Sequence, residues 1–248
     1  MRRKKEMFEG QIESRILKNW LKAIKAVTNE FRMEIQNENG WLITAINDAY
    51  TALVDISLGK DAFNRYEVKE DFEVALDSDL LEHIVKDARG NIELEITKEK
   101  LIANTNNTRF EIRLLSPETI RKPSVPSESD FKAKIYLYTE DLRRGLQAAE
   151  RVSQWDEVVL AVKDNHFFVK SVGESEVMEM MLSSDDLIKL EGENCRSMFS
   201  LNYLMPMIKA VNTKSLKIEL GTDEPVKIAW EDENMSVMYL LAPRVSGD

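Results

Sequence analysis

Ser116-Pro-Glu-Thr-Ile-Arg-Lys-Pro-Ser-Val-Pro-Ser-Glu-Ser-Asp130 holds three of the chain's six prolines, interleaved with serines and charges. Such a stretch reads as an extended connector, because proline fixes φ and removes a backbone donor while the small polar residues supply no core. It cuts the 248 residues into halves of nearly equal length, which predicts an internal repeat. Moving the second half back by 125 residues lays Leu142, Leu146, Ala149 and Val152 on Leu17, Leu21, Ile24 and Val27, so two helical stripes coincide. At that offset Val158 and Leu160 fall on Met33 and Ile35, Phe168 on Ile43, and Leu201 on Leu76. With one residue of drift, Leu216–Leu220 falls on Ile92–Ile96.

Each half reads as a short strand, an amphipathic helix, alternating strands, a second helix and further strands. Period-two alternation marks Arg32-Met-Glu-Ile35, Phe110-Glu-Ile-Arg-Leu114, Val158-Val-Leu-Ala-Val162 and Lys217-Ile-Glu-Leu220. Asn37-Glu-Asn-Gly40 and Lys163-Asp-Asn165 supply turns at matching places. The fold class is α+β, with residues 7–115 as a first domain, 116–130 as connector, 131–248 as a second domain, and 1–6 as an N-terminal extension.

Composition narrows the chemistry. The 43% hydrophobic and 31% charged content fits a cored protein. One cysteine, Cys195, excludes an internal disulfide and a cysteine-rich zinc site, and with only His83 and His166 a metal centre would have to rest on carboxylates. No glycine-rich phosphate loop or His-Glu-x-x-His segment occurs among nine glycines and two histidines, so we expect no enzyme, metal or cofactor. Met1–Glu6 is basic, but Met7–Glu13 lacks the apolar run of a signal peptide, and no segment approaches a membrane span of roughly 18 apolar residues. A soluble intracellular chain is expected.

The formal charge of −10 at first argues against a nucleic-acid partner. Its distribution argues otherwise. A first helix over Ser14–Val27 carries Arg15, Lys18, Lys22 and Lys25 within about 80° of arc and no acid. Thr139–Ser153 carries Arg143, Arg144 and Arg151, with Glu140 and Asp141 in the first turn where the helix dipole favours them. Helices over Ser78–Gly90 and Ser200–Lys214 add Lys86 and Arg89, then Lys209 and Lys214, with Pro206 in the latter tolerable if it falls within the first turn. These four segments hold 11 basic and 6 acidic residues, leaving 23 against 38 elsewhere. A basic face without interleaved aromatics suits phosphate contact rather than base reading.

Two such repeats with basic helices resemble the proliferating cell nuclear antigen family of DNA sliding clamps, in its archaeal form. Met238-Tyr-Leu-Leu-Ala-Pro-Arg-Val245 is similar to that family's terminal Tyr-Leu-Ala-Pro-Lys-Ile segment. Phe199-Ser-Leu-Asn-Tyr-Leu204 resembles the start of its fourth helix, Asp223-Glu-Pro-Val226 its Val-Pro turn, and Leu42–Val54 its central loop and following strand. The resemblance implies a ring of three subunits, with antiparallel sheets outside and two helices per domain lining the hole, Arg15, Lys18, Lys22, Lys25, Lys86, Arg89, Arg143, Arg144, Arg151, Lys209 and Lys214 facing duplex DNA. It implies a partner-peptide pocket at Ile46, Tyr50, Leu53, Val125, Pro126, Pro225, Leu241, Ala242 and Pro243, serving DNA polymerase, clamp loader, flap endonuclease and DNA ligase.

For the subunit contact the resemblance implies pairing of Thr108–Leu115 with Glu174–Leu182 of a neighbour. Arg109 and Arg113 would then face Glu174, Glu176 or Glu179. A location in the cytoplasm on the chromosome, or in a nucleus for a eukaryotic source, follows. The rival readings are a subunit of a mixed ring, and a clamp-fold scaffold that encircles no DNA.

Overall fold

The computed structural model describes residues 7–125 and 131–244. Contacts divide them into two units, one of residues 7–48, 54–125 and 232–237, the other of residues 49–53, 131–231 and 238–244. Most of the first half falls in one unit and most of the second half in the other, with residues 49–53 and 232–237 in the opposite unit. The proposed extension at residues 1–6 lies outside the described residues.

In the first half, β1 (Phe8–Glu13) leads directly into α1 (Ser14–Lys25). Then come β2 (Glu30–Gln36), β3 (Gly40–Ile46), β4 (Ala52–Leu58), β5 (Phe63–Val68), β6 (Phe72–Asp77), α2 (Ser78–Val85), β7 (Asn91–Ile96), β8 (Lys100–Thr105) and β9 (Thr108–Arg113). The second half repeats that order. It runs β10 (Ala133–Tyr138), α3 (Thr139–Val152), β11 (Glu157–Lys163), β12 (His166–Val172), β13 (Val177–Leu182), β14 (Lys189–Gly192), β15 (Cys195–Ser200), α4 (Leu201–Ala210), β16 (Ser215–Leu220), β17 (Val226–Glu231) and β18 (Met235–Leu241).

Pairing repeats as well as order. Antiparallel β1 lies between β5 and β7, as β10 lies between β14 and β16. Likewise β2 lies between β3 and β6, as β11 lies between β12 and β15, and β7 pairs β8 as β16 pairs β17. The registers correct four of the sequence matches, Leu160 falling on Met33 and not Ile35 among them. Phe31 opposes Leu76 and Val158 opposes Phe199, so Val158 corresponds to Phe31 and not Met33, and Leu76 to Phe199 and not Leu201. The cause is α3, two residues longer than α1. A slip of two keeps every side chain on its own face of a strand, so the apolar pattern survived it. Ile43 corresponds to the buried Val169, whereas Phe168, one residue away, faces outward.

The core of the first unit is an aromatic cluster. Phe8, Trp41, Phe63 and Tyr66 meet edge-to-face at 4.9–5.9 Å, and Trp20 on α1 joins through Trp41 at 5.3 Å and Phe31 at 5.7 Å. Such offset geometry suits rings with a negative face and positive edge. In the second unit the position matching Trp20 is Gly145 on α3. A Cβ there would meet the side chain of Met180, which would have to shift.

The helices end earlier than the charge pattern suggests. α2 stops at Val85 and α4 at Ala210, so Lys86, Arg89 and Lys214 stand on the loops that follow. Gly90, with φ +68°, turns the chain toward β7, and its carbonyl accepts from Ser14 N at 2.8 Å. Pro206 is the sixth residue of α4, beyond the first turn, and deprives the Asn202 carbonyl of its usual intrahelical donor.

Candidate nucleic-acid interface and partner surface

The basic residues of the helices fall into two kinds. Arg15, Lys22, Lys86, Arg89, Arg144, Arg151, Lys209 and Lys214 are exposed, and Lys18, Lys25 and Arg143 are half-buried. Lys18 Nζ donates to the Ala88 carbonyl at 3.0 Å, just beyond the end of α2. Arg143, which corresponds to Lys18 in the repeat, donates from Nε to the Ile208 carbonyl at 3.3 Å and from Nη2 to the Val211 carbonyl at the end of α4. Each long helix thus places a cation on the carbonyl-rich C-terminus of its partner helix, where the unpaired oxygens and the dipole favour positive charge. Amphipathic spacing finds these residues but does not reveal this bond, since the acceptor lies 70 or 65 residues away.

Lys25 is also committed. Its ammonium bonds to Asp79 Oδ1 at 2.8 Å and to Glu82 Oε2, and those bonds, to Asp79 first and Glu82 second, hold its pKa above the usual lysine range. Arg144 pairs with Asp141 at 2.8 Å, and Arg15 lies 3.8 Å from Glu13. Lys86, Arg89, Arg151, Lys209 and Lys214 have no ion pair among the described residues. Within their observed limits the four helices carry eight basic and five acidic residues, a balance of +3. The remaining 26 basic and 39 acidic residues leave the rest of the chain at −13.

The strands expected at a subunit contact are edge strands. β9 closes the order β5-β1-β7-β8-β9, and β13 closes the order β13-β12-β11-β15. Arg109 on β9 pairs with Glu111 at 3.0 Å, and Arg113 is exposed with no ion pair among the described residues. Glu179 on β13 meets Lys170 at 3.3 Å, while Glu174 and Glu176 stand in the turn before β13. Two outward apolar side chains of that strand, Val177 and Met181, are 61% and 54% exposed.

Of the residues assigned to a peptide pocket, Leu53 and Leu241 are core positions at 5% and 1% exposure. Ile46, Pro225, Ala242 and Pro243 are half-buried, Tyr50 and Val125 are exposed, and Pro126 lies outside the described residues. Tyr50 adopts φ +58°, a left-handed conformation that costs a non-glycine residue roughly 1–2 kcal/mol. Such strain gathers at functional positions.

The start of the connector is fastened by bonds between residues far apart in the chain. Lys122 bonds to Glu73 at 3.0 Å and to Glu34, while Arg32 bonds to Glu73 and its Nη1 donates to the Ile120 carbonyl at 3.4 Å. Burial would raise the Glu73 pKa, but the Lys122 and Arg32 bonds outweigh it and hold the carboxyl below its ordinary value. A parallel group in the second unit sets buried Glu219 against Lys217 and Lys227, both at 2.9 Å. There too burial pushes the carboxyl up and the two lysines bring the balance down. Burial raises the Cys195 thiol. No group of three or more His, Cys, Asp or Glu among the described residues is arranged to hold a metal, and none of their helices is long and apolar enough to cross a membrane.

Twofold repetition of β-α-β units, a long helix with basic residues in each and an exposed edge strand in each are the features of the sliding-clamp class. A family profile described as "Proliferating cell nuclear antigen, N-terminal domain" matches residues 7–113. A DNA polymerase sliding clamp of Methanosarcina barkeri is 33% identical over 98% of this chain and 100% of its own length. One from Thermoplasma volcanium is 33% identical over 96% of this chain and 99% of its own. Among solved structures, A. fulgidus PCNA bound to the C-terminal region of FEN-1 superposes with a TM-score of 0.89 at 26% identity, covering 98% of this chain and 100% of that one. The chain belongs to the proliferating cell nuclear antigen family of DNA polymerase sliding clamps.

Proposed function

We propose that three copies of this chain close into a ring around duplex DNA and tether DNA polymerase and other replication and repair proteins to it. β9 of one copy pairs with β13 of the next, extending a sheet across each contact and removing two exposed edges. The observation that carries the reading is the sorting of charge along the chain: residues 14–27, 78–90, 139–153 and 200–214, the helices with the loops that follow them, hold 11 basic and 6 acidic residues, or +5, and the rest 23 against 38, or −15. Phosphate contacts from exposed, mobile side chains such as Arg15, Lys86, Arg89, Arg151, Lys209 and Lys214 are sequence-independent, and the diluted lining lets the ring slide while topology retains it. Lys18, Lys25 and Arg143 contribute field but are held by protein partners. No catalytic step is assigned to the chain.

Partner proteins dock through short peptides whose apolar and aromatic anchors settle on the surface carried by Tyr50, Pro225, Ala242 and Pro243. The A. fulgidus complex with the C-terminal region of FEN-1 supports a flap endonuclease among them. Polymerase, clamp loader and ligase complete the set. Native mass spectrometry tests the assembly: the ring requires a species of about 86 kDa, three times the 28.6 kDa of one chain. A single species of one subunit mass at micromolar concentration would eliminate the self-closing ring.

A further inference from the structure

Four tryptophans occur in the chain, and three of them, Trp20, Trp41 and Trp230, are at most 5% exposed. The fourth, Trp155, is 65% exposed in the turn between α3 and β11. A solvated indole leaves a large apolar surface unused, and tryptophan is the residue type most enriched where proteins anchor one another.

The turn that presents it is tightly held. Asp156, the next residue, has φ +59°, and its carboxylate accepts from Asn202 N at 2.8 Å and from the Ser200 hydroxyl, capping the start of α4. Ser153 Oγ accepts from Glu157 N at 2.7 Å. Arg244 Nη1 donates to the Trp155 carbonyl at 2.8 Å and to the Asp156 carbonyl at 3.2 Å. Its guanidinium also lies 3.8 Å and 3.6 Å from the Asp156 and Glu157 carboxylates.

Arg244 ties this turn to the C-terminal segment. Its own N–H donates to the Met198 carbonyl at 2.7 Å, and two residues earlier Ala242 N donates to the Thr51 carbonyl at 2.8 Å. Thr51 follows Tyr50, which is 60% exposed and itself left-handed. Within the second unit, then, one hydrogen-bonded path runs from Tyr50 through Ala242 and Arg244 to Trp155, with an exposed aromatic side chain at each end. Left-handed backbone holds each ring out, at Tyr50 itself and at Asp156 beside Trp155.

We propose that Trp155 is a second anchor of the partner surface, taking an extended apolar or proline-bearing stretch of the partner's chain that flanks the residues seated at Tyr50 and Ala242–Pro243. This rests on the peptide-tethering reading above. Continuity with the C-terminal segment favours a peptide over the other occupants. DNA offers phosphates, for which the apolar face of an exposed indole is no partner. A second copy of the chain has its edge strands at β9 and β13, on other elements.

Because Trp155 is the exposed tryptophan, its emission reports on the site. The probe is a fluorescein-labelled synthetic peptide copied from the C-terminal region of the flap endonuclease, in a long form with flanking residues on both sides and a short form without them. Binding is measured by anisotropy and exposure by iodide quenching of tryptophan emission, using the intact chain. Saturation with the long peptide is expected to lower the quenching constant severalfold, and Trp155→Ala to weaken it by about tenfold, a typical anchor effect. Trp155→Phe should restore part of that loss, and the short peptide should be indifferent to all three side chains. Binding of the long peptide with unchanged quenching, or with full affinity for Trp155→Ala, would overturn the proposal while leaving tethering intact. Indole shielding that depends on protein concentration without peptide would assign the site to a second copy and overturn it too. Failure of either peptide to bind the unmodified protein would remove the tethering reading and this inference with it.

Discussion

Arg143 and Arg144 are neighbours on one helix and look alike in sequence, yet the structure gives them different work. Arg143 holds the end of α4 through the Ile208 and Val211 carbonyls and has a side chain only 28% exposed, whereas Arg144 is 67% exposed with one ion pair to Asp141. Replacing Arg143 with Met keeps much of the aliphatic volume but strips both carbonyls of a charged donor. A hydrogen bond to a charged group contributes about 1.5–3 kcal/mol when well buried, and discounting for partial exposure leaves about 1–3 kcal/mol for the pair. With a urea slope of about 2 kcal/mol/M, the midpoint should fall by about 0.5–1.5 M. Arg144→Met should move it by less than about 0.3 M, since exposed ion pairs contribute little. Urea melts followed by circular dichroism at one fixed protein concentration give the comparison, the fixed concentration being needed because assembly shifts apparent stability. DNA retention should fall at least as much for Arg144→Met as for Arg143→Met. Equal midpoints for the two variants would refute the structural assignment of Arg143, and by the repeat that of Lys18.

Other outcomes follow from the same geometry. Trp20→Ala, at a position 1% exposed and ringed by Phe31 and Trp41, should cost about 3–5 kcal/mol, read by thermal or urea unfolding; a loss below about 1 kcal/mol would mean that the aromatic cluster does not hold the first unit. The Lys122 latch sets a pH window, because the Glu73 pKa is depressed and the Lys122 pKa raised on folding. Its contribution is therefore complete above the ordinary carboxyl value of 4.5 and below the ordinary lysine value of 10.5. It is lost as pH falls through the depressed Glu73 value or rises through the raised Lys122 value. Amide resonances of Ile120 to Val125 should titrate together below pH 4.5, and a common inflection at or above it would contradict the latch. Charge reversal at Arg109 and Arg113 together should leave a one-chain species in native mass spectrometry at low salt. An intact oligomer in both high and low salt would rule out their facing Glu174, Glu176 or Glu179.

What the sequence made legible was whatever depends on period and punctuation. The matching stripes of α1 and α3 and the start of α1 at Ser14 appear where the pattern put them, and the strands that the family resemblance pointed to, β9 and β13, lie at sheet edges. Alternation could not resolve a two-residue slip, since Phe31 and Met33 share a face, and the extra residues of α3 entered unseen. Helix ends were overextended because Lys86, Arg89 and Lys214 continue a charged stripe past the last helical residues, Val85 and Ala210. The site was harder for a related reason. A lysine that reaches a distant carbonyl and one that reaches water have the same spacing, and Leu53 and Leu241 carry no mark separating a pocket wall from core. Trp155 gave no periodic signal at all; its meaning lies in being exposed while Trp20, Trp41 and Trp230 are not.

The central claim is topological, and one measurement addresses it directly. The protein is loaded onto a nicked circular plasmid, freed of unbound chain by gel filtration in moderate salt, and the circle is then cut once with a restriction enzyme. The account predicts that the clamp co-elutes with the circle and leaves the DNA after cutting, with blocked ends restoring retention. Protein that stays on open linear DNA as well as it stayed on the circle would contradict it.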